Sequence, residues 1–161
     1  MTKPTVHLIH GFIGAGKTTY AKKLEQDTGA IRFTADEWMT ALYGNNPPQD
    51  MFAEYEDRAK IKIWEMTEAF VNRGHDVILD FGFWERAARD ETKLRIEKMG
   101  ATPQLHALQI SDDIMLERTL KRTEEMPEGA LMIDEAGFKK MKAYFESIQE
   151  GEDCIWVRAI V

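Results

Sequence analysis

Eight residues near the N-terminus, Gly11-Phe12-Ile13-Gly14-Ala15-Gly16-Lys17-Thr18, fit the pattern G-x-x-x-x-G-K-[ST] at every fixed position. That spacing suits one task, the holding of a polyphosphate. Backbone N–H groups must converge on the anion, and a side chain at Gly14 or Gly16 would stand in the way. A helix opening near Gly16 adds unpaired N–H groups and the positive end of its dipole. In such a loop Lys17 reaches the β- and γ-phosphates, and the Thr18 hydroxyl faces Mg2+. Gly11, Ala15 and Thr19 complete the expected cradle. The same glycines are spaced G-x-x-G-x-G, which is not the dinucleotide fingerprint G-x-G-x-x-G.

Other residues could work on a phosphate held there. Asp36, in Thr34-Ala35-Asp36-Glu37-Trp38, is placed to accept the proton of an attacking hydroxyl. Asp36 and Glu37 would equally suit a helix N-terminus. Asp80 ends the apolar run Val77-Ile78-Leu79, the layout that orders Mg2+ or its water beside a phosphate loop; the alternative is an Asp that begins a turn. Arg118 and Arg122, four apart, share one helix face. Cations on a closing lid would neutralise charge on a moving phosphoryl group and exclude water, although Glu117, Glu124 and Glu125 also fit a solvated face. Arg86 and Arg89 are candidates to grip a substrate phosphate or sugar, or else surface arginines. Trp38 and Trp84 are candidates to stack a substrate ring, with core packing as the alternative. His7 and His10, three apart on a strand, face opposite ways and cannot share a metal.

The elements that must position these residues alternate. Strands are expected at 6–10, 31–34, 77–80, 105–110 and 154–161. Helices are expected at 17–27, 35–43, 50–72, 84–99, 111–123 and 134–149, with Ser111 as an N-cap and Gly29, Gly74 and Gly100 as stops. The polar stretch 124–130 carries Pro127 and Gly129 and reads as a mobile loop, so a lid is expected at about 118–133. This order predicts an α/β fold, a doubly wound five-stranded parallel sheet covered on both faces. Ligands in such sheets bind at the carboxyl ends of the strands.

Bulk properties narrow the partners. One domain is expected over the 161 residues, with 43% hydrophobic and 30% charged side chains. A net charge of −7 argues against duplex nucleic acid as main partner, because such binders usually carry a basic stripe. No apolar run is long enough for a membrane span, and the N-terminal MTKPT lacks the apolar core of a signal peptide. Cys154 is the sole cysteine, which fits a reducing cytoplasm.

With the loop at Gly11–Thr18, Asp36, the segment Leu79-Asp80-Phe81-Gly82-Phe83-Trp84, and the pair Arg118 and Arg122 in place, the chain resembles a group of P-loop kinases. These are relatives of the 5′-kinase part of polynucleotide kinase, of chloramphenicol phosphotransferase and of zeta toxin. The resemblance runs over essentially the whole chain. It implies a P-loop NTPase fold of kinase type and transfer of the γ-phosphate of ATP, with Mg2+, to a hydroxyl. Asp36 then matches the catalytic base, and the arginines match the lid. Met39 stands where polynucleotide kinases carry an arginine, three residues after the base. No N-K-x-D guanine-reading motif is present, so the resemblance favours ATP over GTP. The leading expectation is therefore a small-molecule kinase. A nucleotide or nucleic-acid 5′-hydroxyl kinase, and a nucleotide-dependent switch with slow ATP hydrolysis, remain as alternatives.

Overall fold

A computed structural model describes residues 2–125 and 133–158. Five strands form one parallel sheet: β1 (Thr5–His10), β2 (Ile31–Thr34), β3 (Val77–Gly82), β4 (Thr102–Gln109) and β5 (Ile155–Arg158). Their spatial order is β2-β3-β1-β4-β5. The order reverses direction at β1, so the crevice for a ligand opens above the end of β1, where the glycine loop begins.

The central strands are apolar on both faces because helices cover both. Alternation along β1 sorts the side chains. Val6 and Leu8 join Val77, Leu79, Ile63 and Ile96 under α3 (Phe52–Val71) and α4 (Arg86–Lys98). Ile9 joins Ile78, Ala21 and Ala30 under α1 (Lys17–Thr28). Helix α3 buries Ala59, Ile63, Thr67 and Val71, four apart and so on one face. A short helix α2 (Ala35–Tyr43) leaves β2 directly, and α5 (Asp112–Glu125) and α6 (Glu135–Lys142) follow β4. Ser111 Oγ accepts from Ile114 N–H at 3.4 Å, as an N-cap should.

Three of the boundaries that differ from expectation have a tertiary reason. β3 runs on past Asp80 to Gly82, because a bulge in its pairing lets His10 meet Gly82. β4 begins at Thr102 and contains Pro103. Thr102 N–H points toward β1, onto Pro4 O, so the neighbouring Pro103 nitrogen faces away. There β5 pairs only from His106 onward, so no ladder bond is lost. α6 stops at Lys142 instead of continuing to residue 149. Glu146 N–H donates to Trp84 O, and Arg89 takes the carbonyls of Glu146 and Ser147, so the backbone after α6 serves as a strap across the α4 side.

The histidines on β1 diverge as their spacing requires. His7 Nδ1 lies 2.9 Å from His106 Nε2, and Tyr20 Oη lies 2.8 Å from His106 Nδ1. His10 Nδ1 donates to Phe83 O at 2.9 Å. Burial lowers the pKa of all three rings, those of His10 and His106 to about 4. Their folded values lie below the unfolded value, so below about pH 6.5 the unfolded chain takes up more protons. Stability should hold above pH 7 and fall through the window from 6.5 to 4, by about 1.4 kcal/mol per pH unit for each of His10 and His106, with His7 adding in the same direction. Urea unfolding across that range measures it. An unchanged midpoint between pH 7 and pH 5 would contradict the neutral, buried assignment.

Candidate active site

The glycine loop is fixed from three sides. Gly11 N–H donates to Gly82 O at 3.2 Å, and the Trp84 indole N–H donates to Gly11 O at 3.2 Å. Phe12 is buried and packs on Trp84, Phe138 and Phe145, with centroids 4.9, 5.0 and 5.4 Å away. Gly14, with φ of +81°, lies against α5, and a Cβ there would stand 2.5 Å from Met115 O. The loop therefore needs glycine for its backbone shape and for its closeness to a neighbour.

Gly16, with φ of +90°, caps α1, whose first N–H groups open into the loop. Ala15, within the loop, is buried, and Thr19 is exposed on the first turn of α1. Lys17 Nζ donates to Phe12 O at 3.2 Å, across the loop. Burial lowers the Lys17 pKa, while Asp80 and then Asp36 raise it, so both carboxylates lie within its field. Thr18 Oγ1 donates to Asp80 Oδ2 at 2.9 Å, and Thr34 Oγ1 donates to the same oxygen at 3.0 Å.

Asp36 sits in the first turn of α2, two residues beyond the end of β2. The residue as a whole is exposed, yet its carboxyl faces charged protein groups, and their surroundings desolvate it. Desolvation raises its pKa. Lys17 opposes that rise, Asp80 and Glu56 add to it, and Arg122 opposes it. A raised value makes a carboxylate a stronger proton acceptor. Arg118 Nη1 donates to Gly14 O at 3.3 Å, and Arg122, one turn on, lies near enough for its charge to lower the pKa of Lys17 as well. The structure thus brings Lys17, Thr18, Asp36, Asp80, Arg118 and Arg122 around one loop. Of the lid expected at about 118–133, residues 118–125 belong to α5, and 126–132 lie outside the described residues.

The four substrate candidates are engaged by protein groups, and for Arg89, which is sealed from any ligand, the expectation is corrected. Arg89 is 0% exposed, and its guanidinium bonds Glu152, Phe83 O, Trp84 O, Glu146 O and Ser147 O. Arg86 is tied to the strap through Gln149 Oε1 and Glu150 O, and lies 3.5 Å from Asp90. Trp84 supports the loop backbone. Trp38 packs beside Phe33 at the edge of the main core. The signal for Arg89 lay in Glu152, but they are 63 positions apart and no local pattern joins them. Thr34, bonded to Asp80, and Glu56, whose charge acts on Asp36, also join the cluster, and no local pattern in the sequence marks either. A cavity of about 520 Å3 borders the back of the loop, lined by His10, Phe12, Gln109, Phe145 and Trp156 among others. It holds none of the clustered carboxylates.

The donor set fits Mg2+ and a nucleotide phosphate. A threonine hydroxyl and a carboxylate face one another beside a glycine cradle, the hard oxygen ligands that Mg2+ takes alongside phosphates. The family comparison agrees in kind. The family model AAA_33, described as an AAA domain, matches residues 6–148. The chain belongs to this family. This AAA domain has no match among curated proteins.

Solved structures share its fold. A candidate kinase from Chloroflexus aurantiacus J-10-fl aligns over 98% of this chain and 89% of its own, at 16% identity and a TM-score of 0.79. A gluconokinase from Sinorhizobium meliloti 1021 aligns over 99% and 85%, at 14% identity and a TM-score of 0.64. A sugar kinase from Janibacter sp. HTCC2649 aligns over 99% and 86%, at 20% identity and a TM-score of 0.62. A chain of the Pnkp1/Rnl/Hen1 RNA repair complex aligns over 89% of this chain but 44% of its own, at 18% identity and a TM-score of 0.72. The AAA domain therefore has the five-stranded parallel fold of the P-loop kinase group.

Proposed function

We propose that this AAA domain is a cytoplasmic kinase that transfers the γ-phosphate of ATP to a hydroxyl of a small molecule. The observation that carries the reading is the gathering of Lys17, the Thr18–Asp80 pair and the raised-pKa Asp36 around one glycine loop. Backbone N–H groups of residues 14–18 bind the phosphates, and Lys17 draws charge toward the β- and γ-oxygens. Thr18 and Asp80 would hold Mg2+, which would supply charge neutralisation. Asp36 orients the acceptor hydroxyl and takes its proton as the oxygen–phosphorus bond forms and the bond to ADP breaks. Arg118 and Arg122 face the charge that spreads over the transferred group.

A small acceptor is favoured over a nucleic-acid 5′-end. The arginines that would grip a substrate phosphate are bound to the strap. Met39 is buried at 5% exposure. Incubation with γ-labelled ATP and a library of hydroxyl metabolites tests the proposal. Label should appear on one compound or a few related ones. ATP hydrolysis without any labelled product would replace the kinase by a nucleotide-dependent switch. Lys17→Ala should weaken MgATP binding by about 10- to 100-fold, the weight of a charge-assisted bond to phosphate, as measured by calorimetry.

A further inference from the structure

Asp80 accepts two threonine protons on one oxygen, and the second has a cause of its own. Arg32 Nη1 bonds Thr34 Oγ1. A guanidinium only donates, so Thr34 Oγ1 is the acceptor in that bond. Its single proton is then directed to Asp80 Oδ2, 3.0 Å away. Thr18 gives its proton to the same oxygen at 2.9 Å. Two donors on Oδ2 fix the rotation of the carboxylate. With both threonine bonds on Oδ2, Oδ1 would be the oxygen to serve a metal's shell, beside the Thr18 hydroxyl oxygen. Thr34 and Asp80 are 3% and 5% exposed, so solvent does not replace either bond.

Arg32 is itself held in place. Its Nε donates to Glu25 Oε2 at 2.9 Å, and its Nη1 reaches both oxygens of Glu37 at 3.1 Å. These carboxylates satisfy the guanidinium charge, which keeps it from drawing Asp80 away from Thr18. Glu37 is also the neighbour of Asp36 in the first turn of α2. One guanidinium thus ties the helix of the proposed base to the carboxylate of the proposed metal site.

We infer that Thr34, directed by Arg32, is a positioning residue that aims Asp80 at the metal shell of the nucleotide. The inference rests on the kinase reading of the site. It is tested by titrating ATP binding with Mg2+ in a calorimeter, together with urea unfolding of each variant. Thr34→Val keeps the side-chain shape and removes the proton. It should raise the Mg2+ concentration at half-effect about tenfold, the lower end for a lost partner of a metal ligand. ATP binding without Mg2+ should stay within twofold of the wild type. Thr34→Ser should restore the wild-type midpoint. Arg32→Met, which frees the hydroxyl to turn, should shift the midpoint in the same direction and carries the test if Thr34→Val does not fold. A Thr34→Val midpoint within twofold of the wild type overturns the inference alone. Wild-type ATP binding that ignores Mg2+ overturns it together with the kinase reading.

Discussion

Asp36→Asn is expected to slow phosphoryl transfer by about 10²- to 10⁴-fold, the range for losing a positioned general base. MgATP affinity should change by no more than a few-fold, because the phosphates rest on the loop and Lys17. The substitution keeps the shape and removes the acceptor charge. The wild type should also show an acid limb in kcat/KM. Desolvation raises the Asp36 pKa above the ordinary 3.8, so the limb should lie at higher pH than an unperturbed aspartate would place it. Activity falls as pH drops through that value and the carboxylate gains its proton. Steady-state kinetics on the identified acceptor, from pH 4 to pH 8, measure both effects. An Asp36→Asn enzyme with wild-type turnover would remove Asp36 from the chemistry.

Arg89→Met is expected to cost about 3–5 kcal/mol of stability, the usual penalty for leaving one partner of a buried ion pair alone. Both side chains are essentially sealed, at 0% and 1% exposure, with Arg89 Nε 2.7 Å from Glu152 Oε1. The hydrogen bonds from Arg89 hold the Glu152 pKa down to about 2. A carboxylate with a lowered folded pKa stabilises the protein above its unfolded value of 4.5, and that contribution fades as pH falls toward 2. The double variant Arg89→Met with Glu152→Met should recover much of the loss, since no charge then remains buried. Urea midpoints of the three proteins decide the matter. If Arg89→Met were as stable as the wild type, the strap would not depend on this pair. Phe145 belongs to the strap and packs on Phe12, so the single variant should also loosen the glycine loop and weaken nucleotide binding.

How much of this was legible in the sequence depended on range. The loop at 11–18 was complete as a string, because phosphate binding is done by consecutive backbone groups. Asp80 was legible because an apolar run ending in a carboxylate is local too. The parallel sheet followed from the alternation of short apolar runs with helical stripes. What failed was long-range. The stripe Phe138, Met141, Phe145 and Ile148 has helical spacing, yet the helix ends at Lys142. Arg89, more than fifty residues away in the chain, captures the carbonyls after it. Arg86, Arg89 and Trp84 carried the right chemistry for a substrate, and only their distant partners reveal that they serve the scaffold. Thr34 looked like the end of a strand, and its role depends on Arg32 and Asp80 meeting it from two other directions.

The abutment of Gly14 on the Met115 carbonyl ties the shape of the loop to the position of a helix. With no room for even a methyl group between them, Gly14→Ala would have to push α5 off the glycine turn. Arg118 lies one turn past Met115 and its Nη1 donates to Gly14 O, so its guanidinium would be displaced with the helix.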